Sequence, residues 1–137
     1  MSDLPPEEPL HQLSGPYFTG TVWPDRVEVT ITRREMSDGD NVEEFGDALL
    51  GIYHHTQASR VLIDIAALQF VASSGIGKFI LLHRTLSRDG GVMVLVAPSP
   101  AFAEVLEATN LDRLFLVADT FDKARQLAAS TQDGTPP

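Results

Sequence analysis

Between Val61 and Ala128, short and almost wholly apolar runs alternate with stretches of helical period, an order that few architectures accommodate. Arg60–Ala66 and Val92–Ala97 place apolar side chains at successive positions, as strands do when both faces of their sheet are covered. Leu114–Ala118 is a third, shorter run of this kind. Ile76, Phe79, Ile80, His83 and Leu86 recur with helical period up to a stop at Gly90-Gly91. Pro98-Ser99-Pro100 opens another helix bearing Phe102, Val105 and Leu106, which Asn110 closes. Thr120 caps a last helix with Phe121, Ala124, Leu127 and Ala128 turned inward. Strand and helix in alternation imply right-handed crossovers and functional loops at the carboxyl ends of strands. The expected class is α/β: a mixed, mostly parallel sheet of about four to five strands with about four helices.

Upstream, Tyr17–Val22 and Arg26–Thr32 are rich in β-branched and aromatic residues and flank Trp23-Pro24-Asp25, which predicts a hairpin. A helix is expected after Ser37-Asp38-Gly39-Asp40, with Val42, Phe45, Leu49, Ile52 and Tyr53 on one face and a capping-box variant in Asp40 and Glu43. Residues 1–15, with Pro5, Pro6 and Pro9 among acidic and polar neighbours, are expected to form a flexible arm, and residues 130–137 a flexible tail. That leaves one domain over residues 16–129, which suits a chain of 137 residues that is 43% hydrophobic.

Charge narrows the possible partners. Nineteen acidic against ten basic residues give a net charge of −9, which opposes nonspecific attraction to nucleic acid or anionic lipid. The absence of cysteine removes thiolate metal sites, disulfides and cysteine nucleophiles. No apolar run approaches the roughly 20 residues of a membrane span, and Met-Ser-Asp-Leu-Pro-Pro-Glu-Glu-Pro lacks the basic and apolar regions of a signal peptide. The expected location is the cytoplasm.

Phe70-Val71-Ala72-Ser73-Ser74-Gly75-Ile76-Gly77-Lys78 stands where strand character gives way to helix. Such a junction exposes unpaired backbone N–H groups to which the helix dipole also draws an anion, so a serine there is a candidate phosphate acceptor. Local chemistry alone favours the plainer reading, in which Ser73 or Ser74 serves only as a helix cap. Gly75-Ile76-Gly77-Lys78 is not an ATP-binding phosphate loop, because Ala72 and Phe79 occupy the places of its first glycine and its hydroxyl. Ala72-Ser73-Ser74-Gly75 lacks the first glycine of a hydrolase elbow, and no histidine follows the last strand, so no catalytic residue is assigned.

Metal binding finds no support either. Asp38, Asp40 and Asn41 lack the remaining EF-hand positions, and His54 and His55 point about 100° apart on a helix. His83 is expected to be a satisfied, partly buried side chain. Asp64, a carboxylate inside an apolar strand, needs partners, and backbone N–H groups of the following loop would let it shape the Ser73 turn.

With these residues in place, Val61–Phe115 resembles the STAS domain, the fold of bacterial anti-sigma factor antagonists. The resemblance rests on Asp64 in its apolar strand and Phe70-Val71-Ala72-Ser73-Ser74-Gly75-Ile76-Gly77. It continues through Leu81-Leu82-His83, Gly90-Gly91-Val92-Met93-Val94-Leu95-Val96, Pro100, Val105-Leu106-Glu107 and Leu111-Asp112-Arg113-Leu114-Phe115. It implies a non-enzymatic regulator without cofactor, whose Ser73 is phosphorylated by a partner that is both anti-sigma factor and serine kinase, and is restored by a serine phosphatase. The implied partner-binding residues are Asp38, Gly39, Asp40, Ala72, Ser73, Ser74, Gly75, Ile76, Gly77 and Lys78, with Asp64 shaping the site.

Two departures from the family pattern stand out. Ala72 replaces the aspartate that usually precedes the acceptor, and Arg34-Glu35-Met36-Ser37-Asp38-Gly39-Asp40 replaces a Gly-x-Leu-Asp segment. Ala72 motivates a phosphorylation-independent scaffold or adaptor as an alternative. A ligand-binding or transporter-associated STAS subunit is a further one.

Overall fold

The computed structural model describes residues 8–36 and 40–131, and for Asp40 the main chain alone. A six-stranded mixed sheet runs through it in the order β1 (His11–Ser14), β2 (Phe18–Val22), β3 (Val27–Ile31), β5 (Arg60–Asp64), β7 (Val92–Val96), β8 (Leu116–Ala118). β1, β2 and β3 pair antiparallel, and every later neighbour is parallel. β4 (Glu35–Met36) and β6 (Phe70–Val71) form a separate two-stranded parallel ladder. The helices are α1 (Asp40–Thr56), α2 (Ser73–Arg88), α3 (Pro100–Ala108) and α4 (Phe121–Ser130), with a 3-10 turn at Leu111–Arg113.

Strand alternation divides the core between the two faces of the sheet. Val27, Val29 and Ile31, Val61 and Ile63, and Met93 and Leu95 point to one side, where they meet Phe45, Leu49 and Ile52 of α1, Phe79, Leu82 and Leu86 of α2, and Phe102 and Leu106 of α3. Leu62, Val92, Val94, Val96, Leu116 and Ala118 point to the other side, against Ala124 and Ala128 of α4. The apolar runs of β5 and β7 therefore mark strands covered on both faces, as expected.

A row of edge-to-face rings ties the helices of the larger core together. Tyr17 meets Phe45 at 5.9 Å between ring centroids, Phe45 meets Phe79 at 5.5 Å, and Phe79 meets Phe102 at 6.1 Å. Offset and edge contacts of this kind contribute beyond the area they bury.

On the opposite face, α4 is held to β3 by charge. Both Glu28 oxygens are engaged by Arg125, through Nε at 2.6 Å and Nη2 at 2.9 Å. Arg26 Nε also donates to Glu28, and its guanidinium lies 4.9 Å from the centre of the Trp23 ring. Burial disfavours the ionised Glu28 carboxylate, but the hydrogen bonds from Arg125 and Arg26 outweigh it and hold its pKa below the usual glutamate range.

Several expectations need correction. The sheet has six strands rather than four or five. The arm was expected to be irregular through residue 15, but His11–Ser14 form β1, pairing along their length from His11 opposite Val22 to Ser14 opposite Thr19. Residues 1–7 and 132–137 lie outside the described residues, while Ser130 ends α4. β8 starts at Leu116, because the 3-10 turn occupies the chain just before it. Along α2 the inward face runs through Gly75, Phe79, Leu82, His83 and Leu86, with Ile76 and Ile80 only half-buried.

Truncating Phe79 to alanine removes the central ring of the row and should cost about 3–5 kcal/mol of folding free energy, read from chemical denaturation. The Glu28 contribution should be present above the ordinary glutamate pKa of about 4.3 and be lost as pH falls through the depressed folded-state value. Stability measured against pH should therefore fall less steeply on the acid side in Glu28→Gln than in the wild type.

Candidate functional site at the start of the second helix

The junction leading into α2 is built by the small β4–β6 ladder. Glu35 pairs with Phe70 and Met36 with Val71, while Arg34 O accepts from Gln69 N at 2.7 Å and Met36 O from Ala72 N at 2.9 Å. The segment that contains Asp38 and Gly39 therefore leaves the described structure beside Ala72. Asp38 and Gly39 themselves lie outside the described residues, and Asp40 opens α1.

Ala72, not a serine, is the N-cap of α2. It is extended, at φ −74° and ψ 161°, and supplies no side-chain acceptor. Its carbonyl accepts from Gly75 N at 2.9 Å and Ile76 N at 3.1 Å. The capping expectation for Ser73 or Ser74 thus falls: Ser73 and Ser74 occupy the first two helical positions, and both are exposed. Gly75 is buried, and a Cβ there would stand 3.4 Å from Met36 O and 3.5 Å from both Met36 Cγ and Val71 Cγ2. These are ordinary contact distances, so the first turn of α2 packs directly against β4 and β6 at this position.

Ile76 is half-buried, and Gly77 is exposed with nothing within 4 Å of a Cβ built on it. Gly77 leaves bare the surface one turn beyond Ser73. Lys78 is committed to α1. Its Nζ lies 3.1 Å from both Glu43 carboxylate oxygens, and its stem passes so close to Gly46 that a Cβ there would be 2.5 Å from Lys78 Cδ.

Asp64 ends β5, half-buried rather than enclosed in the strand, and its Oδ1 accepts from Ala66 N at 2.8 Å. That bond shapes the start of the loop that continues to β6. The loop's other anchor was missed in the sequence: buried Ser99 donates to Leu68 O at 3.0 Å and accepts from Phe102 N at 3.2 Å. Its place in Pro98-Ser99-Pro100 signalled the start of α3 but neither the cap nor the bond 31 residues away. Phe70, 59% exposed, was also missed as a surface residue next to the site, since its apolar character reads locally as strand.

His83 lies away from this cluster, buried, with its ring edge-on to Phe115 at 5.7 Å. The expected satisfied histidine is not found, because Nδ1 is buried without a hydrogen-bond partner. Burial, and secondarily the charge of Arg84, lower its pKa, which favours the neutral imidazole. Among the described residues no group of three or more His, Cys, Asp or Glu could hold a metal ion, and His54 and His55 are both exposed at the end of α1.

Comparison with known proteins bears on what this arrangement belongs to. The STAS domain family matches residues 25–124. The chain belongs to the STAS domain family. A Thermotoga maritima protein named as a candidate anti-sigma factor antagonist is 22% identical over 102 residues, covering 74% of this chain and 89% of that protein. The crystal structure of an anti-sigma factor antagonist from Mycobacterium paratuberculosis superposes with a TM-score of 0.71 at 21% identity, over 86% of this chain and all of that one.

SpoIIAA, an anti-sigma factor antagonist, is similar in its unphosphorylated form, with a TM-score of 0.66 at 20% identity over 84% of this chain and 99% of that one. Its phosphorylated form from Bacillus gives 0.59 at 21% identity, over 80% of this chain and 98% of that one. The STAS chain studied here thus has the fold of anti-sigma factor antagonists. None of its described helices is long and apolar enough to cross a membrane.

The uncapped start of α2 yields a direct expectation. Ala72 already has the extended backbone of an N-cap, so Ala72→Asp should stabilise the fold by about 1 kcal/mol, visible as a rise in Tm.

Proposed function

We propose that this protein is a non-enzymatic regulatory module that docks on an anti-sigma factor with serine-kinase activity and is switched by phosphorylation of Ser73. The observation that carries this reading is the position of Ser73: exposed, first in α2, and followed one turn later by the bare surface at Gly77. A kinase must reach the hydroxyl, and a partner must approach the backbone around it. The docking surface comprises Ala72, Ser73, Ser74, Ile76, Gly77 and Lys78, joined by Asp38, Gly39 and Asp40 from the segment that starts beside Ala72, while the buried Gly75 lies beneath it and not on it. Asp64 shapes it through the loop before β6. Family membership supports the assignment, as does likeness to a protein solved with and without its phosphate.

The physical basis of the switch is charge. A phosphoserine carries roughly −1.5 to −2 charges at neutral pH. At the first helical position that charge is favourable to α2 itself, because the helix N-terminus attracts anions. Its cost falls on the partner, whose surface fitted to a hydroxyl must now desolvate an anion. A serine phosphatase reverses the modification, and the exchange takes place in the cytoplasm.

Ala72 favours a second reading, in which the same surface binds its partner without phosphorylation. The family's usual aspartate is missing at the residue next to the acceptor, and with it a carboxylate that a kinase could engage.

The two readings separate when the wild type, Ser73→Ala and Ser73→Asp are each mixed with ATP and a kinase-type anti-sigma factor from the same genome. Under the switch, intact mass shows one phosphate on the wild type and none on Ser73→Ala, and Ser73→Asp loses affinity by about tenfold or more, on the order of a charged group left unpaired in an interface. Equal binding by all three without phosphate transfer would establish the adaptor instead.

A further inference from the structure

We propose that the outer edge of β8 is a second docking site, which takes an extended segment of a partner protein carrying an apolar residue flanked by lysine or arginine. β8 is the last strand of the sheet, and among the described residues no strand pairs with its outer side. A groove of about 400 Å³ lies along it, between α3 on one face of the sheet and α4 on the other. Leu106, Phe115, Val117 and Leu127 form apolar walls, and Glu107 and Asp112 stand at the rim. None of these residues belongs to the β6–α2 junction, so this site stands independently of the role of Ser73.

Edge strands offer main-chain donors and acceptors to any chain that can lie alongside, and natural proteins blunt them by keeping them very short, as β8 is, or with lysine, proline or a bulge. Leu116-Val117-Ala118 carries neither lysine nor proline. Its three residues supply few backbone bonds, so binding must draw on a side chain seated in the groove.

Charge selects the occupant. No lysine or arginine lines the groove, and neither Glu107 nor Asp112 meets a cation among the described residues. Asp119 follows the strand directly but faces Lys123 Nζ at 3.6 Å, so the rim charge rests on Glu107 and Asp112. A second copy of this chain, with its net charge of −9, would bring like charge to an acidic rim, whereas a basic, apolar segment complements both rim and walls.

The test uses the full chain, labelled with nitrogen-15 and titrated with the capped peptide Lys-Val-Lys-Leu-Lys-Val-Lys. The expected result is a set of amide shifts confined to the groove residues of α3, β8 and α4, with slowed hydrogen exchange along β8. Glu107→Lys combined with Asp112→Lys should weaken binding by about tenfold or more while shifts elsewhere stay unchanged. A second peptide with proline in place of the central leucine keeps the charge but loses the side chain that would fill the groove, and it should bind there about tenfold more weakly or not at all. Equal binding of the two peptides, shifts spread over the acidic surface, or indifference to the charge-reversed variant would each overturn the proposal.

Discussion

The contact on which the arrangement most depends is the seat of Phe79 between Phe45 and Phe102. It is fully buried and meets both rings edge-on, so it fixes α2 against α1 on one side and α3 on the other. Everything at the candidate site is placed relative to that helix. Ser73 lies six residues before Phe79, less than two turns away, so a rigid seat for one gives a defined position for the other. The Lys78–Glu43 pair adds a second fastening between α1 and α2. Being largely exposed on the Glu43 side, it contributes little energy and mainly fixes the Lys78 side chain.

The elements most legible in the sequence were those whose pattern arises from burial. β5 and β7 read as strands because covering both faces demands apolar residues at every position, and α1 read as a helix because one stripe alone meets the core. β1 was illegible for the complementary reason. His11-Gln12-Leu13-Ser14 is mostly exposed and short, and it is ordered by its ladder to β2 and not by any preference of its own. β4 and β6 have two residues each, too few to show a period, and exist only because each satisfies the backbone of the other.

The candidate site was legible in location but not in detail. Composition at Ala72-Ser73-Ser74-Gly75 marks the start of a helix, yet local chemistry could not say which residue would cap it, because serine is a better cap than alanine at either position. What decides the register lies outside the motif: Ala72 is bonded to Met36 in β4, and Gly75 packs against the same strand. With Gly75 turned inward, Ser73 and Ser74 are carried into the first turn and outward. Lys78 shows the same limit, since its partner Glu43 is 35 residues away and its stem needs the gap at Gly46.

An N-cap without an acceptor has a consequence for how α2 responds to charge. In most helices a serine, threonine or aspartate at that position satisfies one of the free N–H groups, and an anion arriving nearby competes with it. Here Ala72 offers no such competitor, so the field of the α2 terminus is uncompensated by its own cap. An anionic group carried by Ser73 would therefore meet a favourable field at the helix terminus within its own chain. Under the proposed switch, the effect of that charge on a partner is exerted at the exposed surface of Ser73 and Gly77.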